Sequence, residues 1–310
     1  MVRSSTVNPS SHQHDHGHSH APGDFTTAFA VGVGLNLLLV VAQVVGGLVA
    51  HSLALVADAS HNFADVFGLL LAWWANWLRR TRPTARRTYG LRGASILTAV
   101  ANATLLLVTM GGVAWEALVR LRAPQPVHGL LVIVIAGAGI VVNALSAVPF
   151  LKGRKADLNI RAAFQHLAAD AGISAGVLGA GAIIFFTGAL WVDPVASLLI
   201  VAAVVYGTSG LLRDSLNMAL QAVPQGIDLR AIHDYLGHVP GIGAVHDLHV
   251  WALSTTENAL TVHLVTSARS GDRDALLDAV TTGLRDQFAI GHVTVQIESP
   301  KSEEMFFRGR

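Results

Sequence analysis

Six apolar stretches, each long enough to cross a bilayer, constrain this chain more than any other feature. They run over residues 25–49, 53–78, 94–119, 128–151, 162–187 and 189–212. A helix spans the hydrocarbon core with roughly 20 apolar residues. Inside lipid the backbone must satisfy its own hydrogen bonds, so stretches this long and continuous predict helices rather than barrel strands. Composition agrees. The chain is 52% hydrophobic and 13% charged, whereas a soluble domain carries about a quarter charged residues.

The short links between these stretches differ in charge. Arg79, Arg80, Arg82, Arg86, Arg87 and Arg92 follow the second stretch with no acid among them, and Lys152, Arg154, Lys155 and Arg161 follow the fourth. The opposite links hold only Arg120 and Arg122. Basic residues remain on the cytoplasmic side during insertion, so both termini are expected in the cytoplasm. No basic surface points to nucleic acid as a partner. Before the first stretch, His12, His14, His16, His18 and His20 alternate with small and polar residues. This tract lacks the charged start and apolar core of a signal peptide.

From Pro224 onward the pattern changes. Residues 227–238 read as a helix, 244–253 and 259–267 as strands, 272–288 as an amphipathic helix and 292–297 as a strand. The expected fold is a membrane α-helical bundle of six transmembrane helices plus a small C-terminal α+β domain of order αββαβ. The expected divisions are a histidine-rich tail (1–23), a transmembrane domain (24–213), the α+β domain (214–300) and a short tail (301–310).

Polar residues within the apolar stretches carry the chemistry. His61 and Asp65 lie four residues apart in the second stretch, and His166 and Asp170 repeat that spacing in the fifth. On a helix each pair shares a face, separated by roughly 6 Å of rise. Two such faces turned toward one another offer two imidazole nitrogens and two carboxylate oxygens, a donor set suited to tetrahedral Zn2+. The chain has no cysteine, so thiolate sites and disulfides are excluded. Ionisable groups at mid-membrane cost about 3 kcal/mol each on insertion scales. Burying these four together with Asp58 therefore argues for an ion or proton to handle, against a purely structural role as interhelical hydrogen-bonding groups. Asp58, one turn before His61, is a candidate for tuning the site or carrying a proton. Asn36, Gln43, Asn102 and Asn143 are expected to bond between helices or to line a pathway.

The chain resembles the cation diffusion facilitator family of zinc transporters. The resemblance rests on the quartet, on SLALVADASHNFAD at 52–65, TYGLR at 88–92, DLNIRAAFQHLAAD at 157–170, Asp193-Pro194, and HDLHVW at 246–251. It implies a homodimer that exports Zn2+ in exchange for protons, with a C-terminal domain of metallochaperone-like, ferredoxin-like fold. It implies further metal ligands at His246, His263 and Glu298, with His249 and His292 as additional candidates. The alternative for these is ordinary surface histidines. A His-His-Asp-Asp quartet resembles the zinc-preferring members, with Cd2+ and Co2+ as the nearest competitors. A second site that some bacterial relatives carry after their second helix is expected to be missing, because residues 79–93 hold neither His nor acid.

Zn2+ here is cargo rather than a cofactor. The N-terminal histidines are expected to be an accessory that collects metal weakly. Two rival functions remain: an intramembrane zinc hydrolase and a membrane metal sensor. The hydrolase lacks a His-Glu-x-x-His helix and, with four protein ligands, an open position for water. The Ala, Gly, Val and Arg bias suggests a bacterial inner-membrane protein.

Overall fold

The structure, a computed structural model, describes residues 25–151, 158–266 and 273–299. The histidine tract at 12–20 lies outside these residues. Six long helices form the first part: α1 (Phe25–Ala50), α2 (Leu53–Arg79), α3 (Ala94–Arg122), α4 (Gly129–Ala147), α5 (Leu158–Thr187) and α6 (Val192–Ala219). Of the described stretches, those over Ala94–Arg122, Gly129–Phe150, Ile160–Thr187 and Val192–Ala219 are long and apolar enough to cross a membrane, and Gly34–Ala50 of α1 is a shorter apolar run. Large side chains point outward from these helices, including Leu38, Val108, Phe186 and Leu199. Such a surface suits lipid, since soluble monomers rarely expose large contiguous apolar patches.

Helix boundaries follow local chemistry. The apolar stretch at 128–151 stops being α-helical at Ala147, where Pro149 has no N–H to donate and Val148–Phe150 tightens into a 3-10 turn. The sixth helix, expected over 189–212, runs on to Ala219. Between α1 and α2, His51 takes a left-handed conformation (φ 55°), and Ser52 caps α2 by accepting from the Leu55 N–H at 3.2 Å. Glycines set the closest helix approach: a Cβ at Gly129 of α4 would lie 2.8 Å from the Gly181 carbonyl oxygen of α5.

Packing is uneven along the bundle. Nine of the ten buried residues of α2 fall between Leu53 and Val66, leaving only Ala75 beyond. On α5 every buried described residue lies at Asp170 or later. The end that holds the α1–α2 turn is therefore tightly closed, around Leu55, Met110, Val132 and Val177. The opposite end, toward the C-terminal domain, is loosely packed between α2 and α5.

The C-terminal domain runs α7 (Leu229–His238), β1 (Ile242–Ala252), β2 (Asn258–Thr266), α8 (Arg273–Phe288) and β3 (Ile290–Glu298), the αββαβ order that hydropathy predicts. The strands lie in the order β1-β2-β3, with β1 antiparallel and β3 parallel to the central β2. Apolar residues of α7 and α8 (Ile232, Leu236, Val280, Leu284) pack with Val250, Leu260, Val262 and Leu264 of the sheet. Asp228 caps α7 by accepting from the Arg230 N–H at 2.8 Å. The turn between β1 and β2 meets the bundle, where Glu257 pairs with Arg79 at 3.1 Å and with Arg92 at 3.0 Å. The Thr255 N–H donates to Ser95 Oγ at 3.1 Å, and Tyr89 packs edge-on against His292.

Candidate metal-ion sites

His61 and Asp65 of α2 meet His166 and Asp170 of α5 just where the bundle passes from tight to loose. Helical spacing aligns each pair on its own helix, and the facing of α2 and α5 brings the two pairs together. His61 Nε2 lies 3.3 Å from Asp170 Oδ1 and 3.6 Å from Asp65 Oδ2. His166 Nε2 lies 3.4 Å from Asp65 Oδ2 and 3.7 Å from Asp170 Oδ2. Each imidazole thus touches a carboxylate on its own helix and one on the other. The two rings are edge-on, with centroids 6.2 Å apart.

A tetrahedral zinc with donors about 2.0–2.1 Å away has donor–donor edges of roughly 3.3–3.4 Å. Three nitrogen–oxygen separations, 3.3, 3.4 and 3.6 Å, lie close to such edges, while His166 meets the other oxygen of Asp170 at 3.7 Å. Three of the residues, His61, Asp65 and Asp170, present donor atoms all within 4.8 Å of one another. His166 joins them through its two carboxylate contacts. Asp65 Oδ2 is buried without a hydrogen-bond donor of its own, as a ligand oxygen should be. Exposure is graded across the group: the Asp170 side chain is 6% exposed and that of His166 51%. The cluster is sealed on one side and open on the other.

Behind it, toward the closed end, sits a polar shell that sequence reading placed only in part. Asp58 is fully buried and accepts hydrogen bonds from Gln43 Nε2 at 2.7 Å and from Ser174 Oγ at 3.0 Å. Asn62 donates to Gln43 Oε1 at 2.9 Å. Gln43 bonds between helices as expected. Ser174 and Asn62 add to the residues expected from sequence, Ser174 following Asp170 by four residues and Asn62 following Asp58 by four. That spacing was the available signal. Asn102 packs over Gly68, where a Cβ would come within 2.8 Å of its amide nitrogen. The Asn143 amide nitrogen is buried without a partner. Glu116 and Arg120, four residues apart on α3, pair at 2.9 Å, and Arg120 also donates to the His51 carbonyl.

A second cluster lies in the C-terminal domain. Strand register sets His246 opposite His263 and Val265 opposite Glu298. His246 Nε2 is 3.1 Å from Glu298 Oε2, and His263 Nδ1 is 3.0 Å from Glu298 Oε1. A β-bulge between His246 and His249 puts Asp247 in a left-handed conformation (φ 50°), which brings its carboxylate 3.6 Å from His263 Nε2. Asp247 is thus a neighbour of this cluster that strand patterning could not reveal. His249 is exposed and pairs with Asp247 at 3.1 Å. His292 does not join the group. Its ring packs on Tyr89 at the seam between the two parts.

Comparison with known proteins places the chain in a family. Residues 29–218 match the cation efflux transmembrane domain, and residues 224–300 match the cation efflux protein cytoplasmic domain. The metal cation efflux system protein CzcD of Cupriavidus metallidurans is 34% identical over 86% of this chain and 84% of its own length. The zinc transporter ZitB of Escherichia coli is 36% identical over 84% of this chain and 83% of its own. The human proton-coupled zinc antiporter SLC30A2 is 30% identical over 87% of this chain and 75% of its own. The chain belongs to the cation efflux, or cation diffusion facilitator, family of membrane metal transporters.

Proposed function

We propose that this protein exports Zn2+ from the cytoplasm in exchange for protons, with His61, Asp65, His166 and Asp170 as the transport site. The observation that carries the reading is the set of four nitrogen–oxygen separations of 3.3–3.7 Å across α2 and α5. Two neutral imidazoles bind the metal and two carboxylates balance its charge in a site with few other charges. Metal and protons compete for these atoms because the ligands must be deprotonated to bind. A site that alternates between the two sides would thus release Zn2+ as it takes up protons.

In this reading α1–α6 all span the bilayer, with both termini and the C-terminal domain in the cytoplasm and the protein in a bacterial inner membrane. The loop arginines support that orientation. The loose packing between α2 and α5, together with the exposure of His166, supports a conformation open toward the cytoplasm. The protein works as a homodimer, a reading supported by the match of residues 224–300 to the cytoplasmic dimer domain of cation efflux proteins. Asp58 tunes the site from behind or holds a proton. His246, His263 and Glu298 bind a second, regulatory ion, and the tract at His12, His14, His16, His18 and His20 is an accessory. Zinc is favoured over Cd2+ and Co2+ by the imidazole pair.

Flux into proteoliposomes with an imposed pH gradient tests the reading. Zinc uptake should follow the proton gradient and vanish in the His61→Ala, Asp170→Ala protein. Undiminished flux in that variant would overturn the site. Binding without flux would favour a sensor, and hydrolysis without flux an intramembrane enzyme.

A further inference from the structure

A cavity of about 450 Å³ opens between α2, α3 and the β1–β2 turn, at the loose end of the bundle. Its walls are mostly apolar, from Leu71, Ala72, Ala75, Ala99 and Leu211, and its rim is polar, with Arg79, Ser95 and Thr256. Beside that rim, a carboxylate already sits on Arg79. The Glu257 carboxylate bridges Arg79 and Arg92 at 3.1 and 3.0 Å, and all three side chains are a third to two-fifths exposed. Arg79 Nη1 also donates to Thr256 Oγ1 at 3.3 Å. These two arginines belong to a link that carries six arginines and no acid from Arg79 to Arg92. Nearby on α2, Trp73, Trp74 and Trp77 are exposed, as tryptophans are where helices meet the bilayer surface.

We propose that this cavity binds an anionic phospholipid, with its phosphate on Arg79 and Arg92 and its glycerol and upper acyl carbons against Leu71, Ala72 and Ala75. The chemistry is complementary at both ends. Arginine donates two hydrogen bonds in the plane of its guanidinium, a geometry that suits phosphate as well as carboxylate. Basic pockets between helices at the cytoplasmic surface are a recurrent setting for acidic headgroups. Glu257 marks the seat and competes for it. A bound headgroup loosens the ion pair that fastens the β1–β2 turn to α2 and α3, so lipid charge acts on the seam between the two domains. Neutral phospholipid lacks the net charge, and inorganic phosphate lacks the apolar part.

The test uses the full-length protein, stripped of lipid in detergent and titrated with phosphatidylglycerol, phosphatidylcholine or inorganic phosphate. Lipid retention is read by native mass spectrometry and stabilisation by the thermal midpoint. With two arginines opposed by one carboxylate, phosphatidylglycerol should be preferred roughly fivefold over phosphatidylcholine. Glu257→Gln should tighten it by about another fivefold. Arg79→Gln with Arg92→Gln should abolish the preference. Ala72→Phe, at an exposed position, should fill the cavity and lose the lipid with the arginines intact. Equal retention of the two lipids would overturn the proposal, as would retention unchanged in Ala72→Phe. So would weaker binding in Glu257→Gln, or the same stabilisation by inorganic phosphate alone.

Discussion

Replacing His61 with alanine removes one of four donors, and its effect can be sized from the geometry. His61 Nε2 lies 3.3 Å from Asp170 and 3.6 Å from Asp65, so this donor joins both carboxylates on the sheltered side of the cluster. Four-ligand zinc sites bind with about 10–16 kcal/mol, so an equal share is about 2.5–4 kcal/mol per donor. At about 1.4 kcal/mol per tenfold, the Kd rises by roughly 60- to 700-fold. Both carboxylates remain, so the charge balance is untouched and the lower half of that range is expected. Asp170→Ala also removes charge from a buried position and should cost more. The assay is zinc calorimetry on protein that already carries His263→Ala, so that the C-terminal cluster does not mask the change. Transport at low zinc should fall by the same factor. A Kd shift below roughly threefold in that background would refute the claim that His61 is a ligand.

Three further outcomes follow from the same geometry. Both imidazoles must be neutral to bind metal, so on the acid limb log Kd should rise by up to about two for each unit fall in pH. His166→Ala should reduce that slope to about one, and a pH-independent Kd would refute the proton competition. Asp58→Ala leaves the buried donors of Gln43 and Ser174 without an acceptor, at about 1–3 kcal/mol each. Unfolding titrated with SDS should show a loss of roughly 2–6 kcal/mol, with Asp58→Asn milder; equal stability would show that the shell rearranges freely. Asp193, buried at the start of α6, accepts from Ser52 Oγ at 2.5 Å and from the Leu53 N–H at 2.7 Å. It caps the first turn of α2 from another helix. Asp193→Ala should destabilise the bundle by about 2–4 kcal/mol while zinc affinity changes little, and an affinity loss as large as that of His61→Ala would place Asp193 in the site instead.

How far the site can be read in advance depends on whether a feature is local. The apolar stretches and the His-x-x-x-Asp spacing are properties of a few consecutive turns, so the helices and the four candidate ligands are legible in the sequence. So is the αββαβ order, because strand alternation and amphipathic helix periodicity are also short-range signals. Pro149 ends α4 earlier than hydropathy suggests, because a missing N–H outweighs apolar character.

What the sequence alone determines is the solvent of this protein and the identity of its donors: lipid around the helices, imidazole and carboxylate within them. Only the tertiary structure decides where those donors meet. His61 and Asp170 are 109 residues apart, and their 3.3 Å approach depends on how α2 packs against α5. The same holds for Asp58 held by Gln43 and Ser174, for Asp193 capping α2 from 140 residues away, and for Glu257 bridging Arg79 and Arg92. No local pattern encodes these contacts, because each is set by the relative rotation and depth of separate elements. That packing closes one end of the bundle and leaves the other open.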